Sequence, residues 1–174
     1  MKPENFSSRD QKILFCLSCI PKKMLHIHGV ANATEFVLHE LCGECCFNFP
    51  KAAFFVDNPD FDCCKGVAGW SCDECYKNDE SAWHAPQPFS DHMQNAAFNK
   101  QVRQMHMASI VHGVDDTVHQ LAQQLSMQNP QYCLCDLKHD NRGLLIFEGE
   151  SKNYDEVKHH LPQGLALLGF CPIF

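Results

Sequence analysis

The spacing of the cysteines is the feature that most limits what this 174-residue chain can fold into. Two cysteines separated by two residues can supply two of the four ligands of a tetrahedral zinc site from one turn. Most of the cysteines within residues 42 to 75 lie in turns and polar segments, which favours a role as metal ligands over a role as small buried hydrophobic residues. Three such pairs occur, and seven of the twelve cysteines fall within residues 42 to 75: Cys42, Cys45, Cys46, Cys63, Cys64, Cys72 and Cys75.

We therefore predict a zinc site in the cysteine-rich segment 39–89. Acidic residues are in excess across positions 57 to 80, which disfavours free thiolates, whereas a divalent cation reverses that preference. His39 lies three residues before Cys42, where it is either a ligand or a solvent-facing side chain. The predicted ligands are Cys42, Cys45, Cys72 and Cys75, with Cys63, Cys64 and His39 as further candidates.

The pattern leaves the metal and the chemistry open. Mononuclear iron held by two cysteine pairs fits the same spacing, whereas a four-iron cluster is disfavoured because position 48 is Asn48. One alternative is a thiol- or metal-dependent enzyme, with Cys64 as a nucleophile ahead of "KGVAG" or with Cys72 and Cys75 as a redox dithiol. A second alternative is a metal-free globular domain with core cysteines.

The remaining cysteines are predicted to pack in the core. Cys16 and Cys19 stand in the apolar stretch "ILFCLSCI", although a site formed with His26 and His28 is an alternative. We predict the same packing role for Cys133, Cys135 and Cys171.

Charge and hydropathy exclude several classes of function. The net charge of −7 argues against nucleic-acid binding, which begins with neutralisation of phosphates by Lys and Arg. No apolar run approaches the length of a membrane span, and the N-terminal sequence does not resemble a secretory signal. We expect a cytoplasmic, soluble protein with reduced thiols, whose oligomeric state the sequence leaves open. A protein partner would dock on an acidic loop bearing Phe61, Trp70, Tyr76, Trp83 and Phe89.

The sequence predicts an α+β fold in a single domain, residues 1–174, that is rich in helices and has a small sheet of about three strands. Helices are expected at residues 8–20, ended by Pro21, and at residues 33–41. A helix of about 22 residues begins at Ser90, the next is capped by Asp115 or Asp116, and the last begins near Tyr154 and breaks at Pro162.

Strands are expected at residues 51–57 and in a hairpin whose turn is "HDNRG". Between residues 58 and 89 no apolar period survives, so we predict an irregular loop that is ordered by the bound metal.

Overall fold

A computed structural model describes residues 7–27, 29–77 and 81–172 as an antiparallel sheet with helices against its two faces. The α+β class is confirmed, but the sheet has five strands rather than about three. The strands, in the spatial order β3-β2-β1-β5-β4, are β1 (Lys51–Asn58), β2 (Cys63–Ser71), β3 (His106–Met107), β4 (Pro130–Asp136) and β5 (Arg142–Glu148).

The described chain contains seven α-helices. They are α1 (Ser8–Met24), α2 (Ala33–Cys42), α3 (Pro86–Asn95), α4 (Ala97–Gln104), α5 (Val114–Gln124), α6 (Ser151–Val157) and α7 (Leu161–Gly169). The predicted cap of α5 is wrong, because Gly113 stands at its N-cap and Asp115 and Asp116 lie in its first turn. The predicted helices α2 and α5, the strand β1 and the β4–β5 hairpin are confirmed. So is the break near Pro162, which stands in the first turn of α7, where a missing N–H costs nothing.

Helix α1 does not end at Pro21, as predicted, but continues to Met24. The proline removes one backbone donor from the ladder. Burial of Ile13, Leu17 and Ile20 on one side of α1 offsets this loss, and Pro21 itself faces solvent. The start of α1 is fixed by Ser7 and Asp10, whose side chains each accept a hydrogen bond from the other's backbone N–H.

The prediction of an irregular loop from residue 58 to residue 89 is wrong for β2, which pairs with β1 from Asn58↔Cys63 to Lys51↔Ser71. Gly66 and Gly69 interrupt the apolar pattern of this strand, so the sequence does not predict it. They are required because α4 packs directly on the backbone of β2. A Cβ atom at position 66 would lie 1.8 Å from the carbonyl oxygen of Val102, and the Gly69 N–H donates to Asn99 Oδ1 at 2.8 Å.

The two faces of the sheet carry separate hydrophobic cores. The first core lies under α1, α2, α3, α6 and α7 and includes Phe36, Phe54 and Phe147. The second core lies under α4 and α5 and includes Phe55, Cys64 and Ile146. Successive residues of a strand point to opposite faces, so Phe54 and Phe55 enter different cores.

The helix predicted to run for about 22 residues from Ser90 begins instead at Pro86 and ends at Gln104. It is interrupted at Ala96, which separates α3 from α4. A carboxylate from outside the helix accounts for the break. Glu74 accepts hydrogen bonds from the backbone N–H groups of Ala97, at 3.2 Å, and Phe98, at 2.9 Å. It therefore caps the first turn of α4, where the helix dipole favours a negative charge.

None of the helices in the described part of the chain has the length and hydropathy of a membrane span.

Candidate functional site

The structure separates the residues predicted to bind zinc. Cys42 is buried in the first core at the end of α2, where burial raises the pKa of its thiol. Cys45 is exposed in the turn that follows. Cys72 is exposed and Cys75 half-buried in a 3-10 turn beyond the end of β2. Cys64 lies in the second core, on the opposite face of the sheet from Cys42.

Across residues 7–27, 29–77 and 81–172, no three Cys, His, Asp or Glu side chains converge in a way that could hold a metal ion. Cys63 is half-buried beside Asn58, Phe61 and Lys65. His39 lies edge-on to the rings of Trp70 and Phe89, with ring centroids 4.9 and 5.1 Å away. The interpretation of His39 as a solvent-facing side chain is therefore wrong.

Hydrophobic packing and hydrogen bonds hold the segment around Cys72 and Cys75 in place. Glu74 caps α4, and its carbonyl oxygen lies 2.7 Å from His92 Nε2. The prediction of an exposed recognition surface is wrong for three of its five aromatic residues, because Trp70, Trp83 and Phe89 are buried. Of the five, only Phe61 is strongly exposed. The two tryptophan N–H groups donate to the Phe49 carbonyl and to the Glu40 carboxylate, each at 2.9 Å.

The alternative nucleophile, Cys64, and the cysteines predicted to lie in the core are all buried or half-buried. Burial, with a further contribution from the Asp57 carboxylate, raises the pKa of Cys64 to about 12, which makes this thiol a poor nucleophile at neutral pH. His28 lies outside the described residues, so the alternative site with Cys16, Cys19 and His26 is not described. Cys16 and Cys171 are buried as predicted, and Cys133 and Cys135 pack half-buried against the first core. The prediction is wrong for Cys19, which is half-buried and lines a cavity.

The structure brings together a pair of thiols that the sequence did not connect. Cys16, in the middle of α1, lies beside Cys46 in the turn after α2, close enough for a thiol–thiol hydrogen bond to affect the acidity of both. Arg9 holds this turn against α1, because its guanidinium donates to the carbonyl oxygens of Glu44, at 2.9 Å, and Cys46. Cys16 and Cys46 are only 6% and 0% exposed, and both are free thiols.

The two thiols of this pair differ in acidity. The hydrogen bond from Cys46 lowers the pKa of Cys16 below that of an ordinary cysteine, because it stabilises the thiolate. The positive charges of Lys23 and Arg9 act in the same direction, whereas burial and Glu40 oppose it. The pKa of Cys46 is raised by the shared hydrogen bond and by burial. Since Cys46 is the more deeply buried of the two and both cations act on Cys16, we expect a thiolate at this pair on Cys16.

Cys16 also lines a cavity of about 560 Å³ between α1 and the turn after α2. Two more thiols reach it, those of Cys19 and Cys45. A volume of this order suits a small molecule. The rest of the lining is aromatic at Phe15 and charged at Arg9, Lys12, Lys23, Glu40 and Glu44.

No local signal in the sequence predicts this site. Cys16 falls on the apolar stripe of α1 with Ile13, Leu17 and Ile20, so its burial could be predicted. Its contact with Cys46 joins positions 30 residues apart in sequence and depends on how α1 crosses α2.

No protein-family model matches the chain, and searches of curated proteins and of solved structures found no match.

Proposed function

We propose that this protein carries out thiol–disulfide exchange, with Cys16 as the attacking thiol and Cys46 as the resolving thiol. The observation that carries the proposal is that two free thiols, Cys16 and Cys46, lie side by side and that one of them, Cys16, lines an open cavity. Two thiols in contact can join in one S–S bond of about 2.05 Å. The more acidic of the two supplies the nucleophilic thiolate.

The reaction consists of two substitutions at sulfur. The Cys16 thiolate attacks one sulfur of a substrate disulfide, forms a mixed disulfide and releases the other half of the substrate as a thiolate. Cys46 then attacks Cys16 Sγ and releases the second half. Two electrons pass from the protein dithiol to the substrate, which leaves as two thiols carrying the two protons of Cys16 and Cys46.

The first test compares the reactivity of Cys16 with that of Cys171, which is a matched control because the two thiols are 6% and 5% exposed. Burial raises the pKa of Cys171 to about 11, whereas that of Cys16 is lowered. We expect iodoacetamide to alkylate Cys16 about tenfold faster or more at neutral pH, because the thiolate is the reacting species. The measurement is peptide mapping by mass spectrometry over a time course.

The second test maps the disulfide itself. Full-length protein equilibrated in redox buffers of oxidised and reduced glutathione should form a Cys16–Cys46 disulfide that reverses on reduction. The C46S variant should stop at a mixed disulfide on Cys16, whereas C171A should behave as the unmodified protein. Equal alkylation of Cys16 and Cys171, or the lack of a Cys16–Cys46 disulfide in unmodified protein at every ratio, would overturn the proposal whether or not C46S folds.

A further inference from the structure

The cavity beside Cys16 has a charge that differs from that of the whole chain. The protein carries a net charge of −7, yet Arg9, Lys12 and Lys23 all face this cavity. Glu40 and Glu44 also line it, so its charged lining carries a net positive charge, and such a cleft attracts anions.

The hydrogen-bond partners show which of these charges are available. Lys23 is paired with the carboxylate of Glu40, so the two charges largely cancel. Arg9 donates to two backbone carbonyl oxygens, which are uncharged and leave its positive charge uncompensated. Lys12 is exposed one helical turn further along α1 and forms no ion pair within the described residues. Glu44 is the single acid that remains against these two cations.

The reactive sulfur and these charges lie along the same stretch of helix. Arg9, Lys12, Cys16 and Cys19 follow at spacings of three or four residues, which places them on neighbouring turns of one side of α1. The ring of Phe15, 72% exposed, lines the cavity beside them. A ligand that places a sulfur at Cys16 therefore places its other groups near one aromatic ring and two cations.

We infer that the substrates are low-molecular-weight disulfides bearing carboxylate groups, held by Lys12 and Arg9 while one of their sulfurs faces Cys16. This inference rests on the proposed thiol–disulfide exchange and names its substrate class. In the first step the Cys16 thiolate forms an S–S bond to one half of the anionic disulfide, whose own S–S bond breaks and whose other half leaves as a thiolate. Cys46 completes the exchange as described above.

The experiment compares two aromatic disulfides with the full-length protein. One is 5,5′-dithiobis(2-nitrobenzoate), which is anionic, and the other is 4,4′-dithiodipyridine, which is uncharged. Samples are quenched with N-ethylmaleimide at intervals, and peptide mapping gives the rate at which Cys16 is oxidised by each probe. Both rates are divided by those of a free small thiol, which removes the intrinsic reactivity of the probes.

We expect the normalised rate ratio at Cys16 to favour the anionic probe and to fall as salt is added, since ions screen the attraction. The substitution Lys12→Gln should lower the ratio about threefold, the effect of one unit charge several ångströms away in a solvent-exposed cavity. Lys100→Gln is the matched control, because Lys100 is an exposed lysine on α4 at the opposite face of the sheet, and the ratio should not change.

The outcomes separate the two proposals. Oxidation of Cys16 with the same ratio as the free thiol, insensitive to salt and to Lys12→Gln, overturns the substrate class and leaves the exchange activity standing. If neither probe oxidises Cys16, the exchange activity itself is overturned.

Discussion

At the scale of single residues, His39 shows how burial sets the chemistry of a side chain. Its ring lies edge-on between Trp70 and Phe89, and burial lowers its pKa to about 4. Glu40 opposes this shift, whereas the charges of His92 and Lys23 add to it. His39 is therefore a neutral aromatic packing residue over the pH range in which an ordinary histidine becomes charged.

The free energy of unfolding should decrease as the pH is lowered, in part because of His39. In the unfolded chain His39 takes up a proton near pH 6.5, whereas the folded protein does so only near pH 4. Its contribution is thus complete above pH 6.5 and is lost as the pH falls through this window, by about 3 kcal/mol in total. His39→Phe should remove that part of the slope. Urea unfolding at pH 7 and pH 4.5 measures it, with His119→Gln, an exposed histidine on α5, as the control.

A slope that stays the same in His39→Phe would show that other groups titrate in this window and that His39 is not the half-buried, neutral residue described above.

At the scale of elements, the 3-10 turn at Cys72–Glu74 owes its position to the helices beside it. Glu74 caps α4 through two backbone N–H groups and contacts α3 through His92. Asn99 on α4 is only 1% exposed and contacts three other elements. Its side-chain oxygen accepts a hydrogen bond from the Gly69 N–H on β2, and its side-chain NH2 donates to Glu35 on α2 and to the Met93 carbonyl of α3. These contacts, between 2.7 and 3.2 Å long, anchor the cysteine-rich segment to its neighbours.

Removing the Glu74 carboxylate should loosen this turn. We expect Glu74→Ala to lower the free energy of unfolding by about 1 to 2 kcal/mol, the usual cost of losing a helix cap, and to make the chain near Cys72 and Cys75 sensitive to protease. Limited proteolysis and urea unfolding measure the two effects. Asp73→Ala is the control, because Asp73 is exposed and makes no contact with α4 among the described hydrogen bonds. Equal effects in both variants would contradict the capping role.

At the scale of the whole molecule, the sheet divides the cysteines. Cys16, Cys42 and Cys46 lie in the first core, and Cys64 lies in the second. The described residues between the start of β2 and the end of α3 contact both cores: Trp70, Trp83 and Phe89 fill the first core, and the backbone of β2 packs on α4. Burial of apolar surface is itself a source of stability for these residues. The zinc ion predicted from the cysteine spacing stays a prediction.

Dialysis against a strong zinc chelator tests that prediction. We expect the near-ultraviolet circular dichroism and the urea midpoint to be unchanged afterwards, because core packing orders residues 63–71 and 81–89. Elemental analysis before and after dialysis gives the metal content of the same samples. About one zinc per chain, with chelation lowering the midpoint and exposing Cys42, Cys45, Cys72 and Cys75 to alkylation, would instead support the metal site and contradict this expectation.

The sequence alone determined the elements whose signals are local. The apolar spacing of α2 and α5, the apolar run of β1 and the turn residues of the β4–β5 hairpin each predicted an element that the structure contains. The burial of Cys16 and of Cys171 followed from apolar neighbours in the same way. In each case the residues that cause the structure are close together in the chain, so their period or their turn chemistry is visible there.

Only the tertiary structure decided the rest. Strand β2 exists because Gly66 and Gly69 let α4 rest on its backbone, and the break between α3 and α4 exists because Glu74 reaches it from more than twenty residues away. The Cys16–Cys46 pair forms where α1 and the turn after α2 meet. These features depend on contacts between distant residues, and such contacts are set by how the elements pack and not by any spacing within one of them.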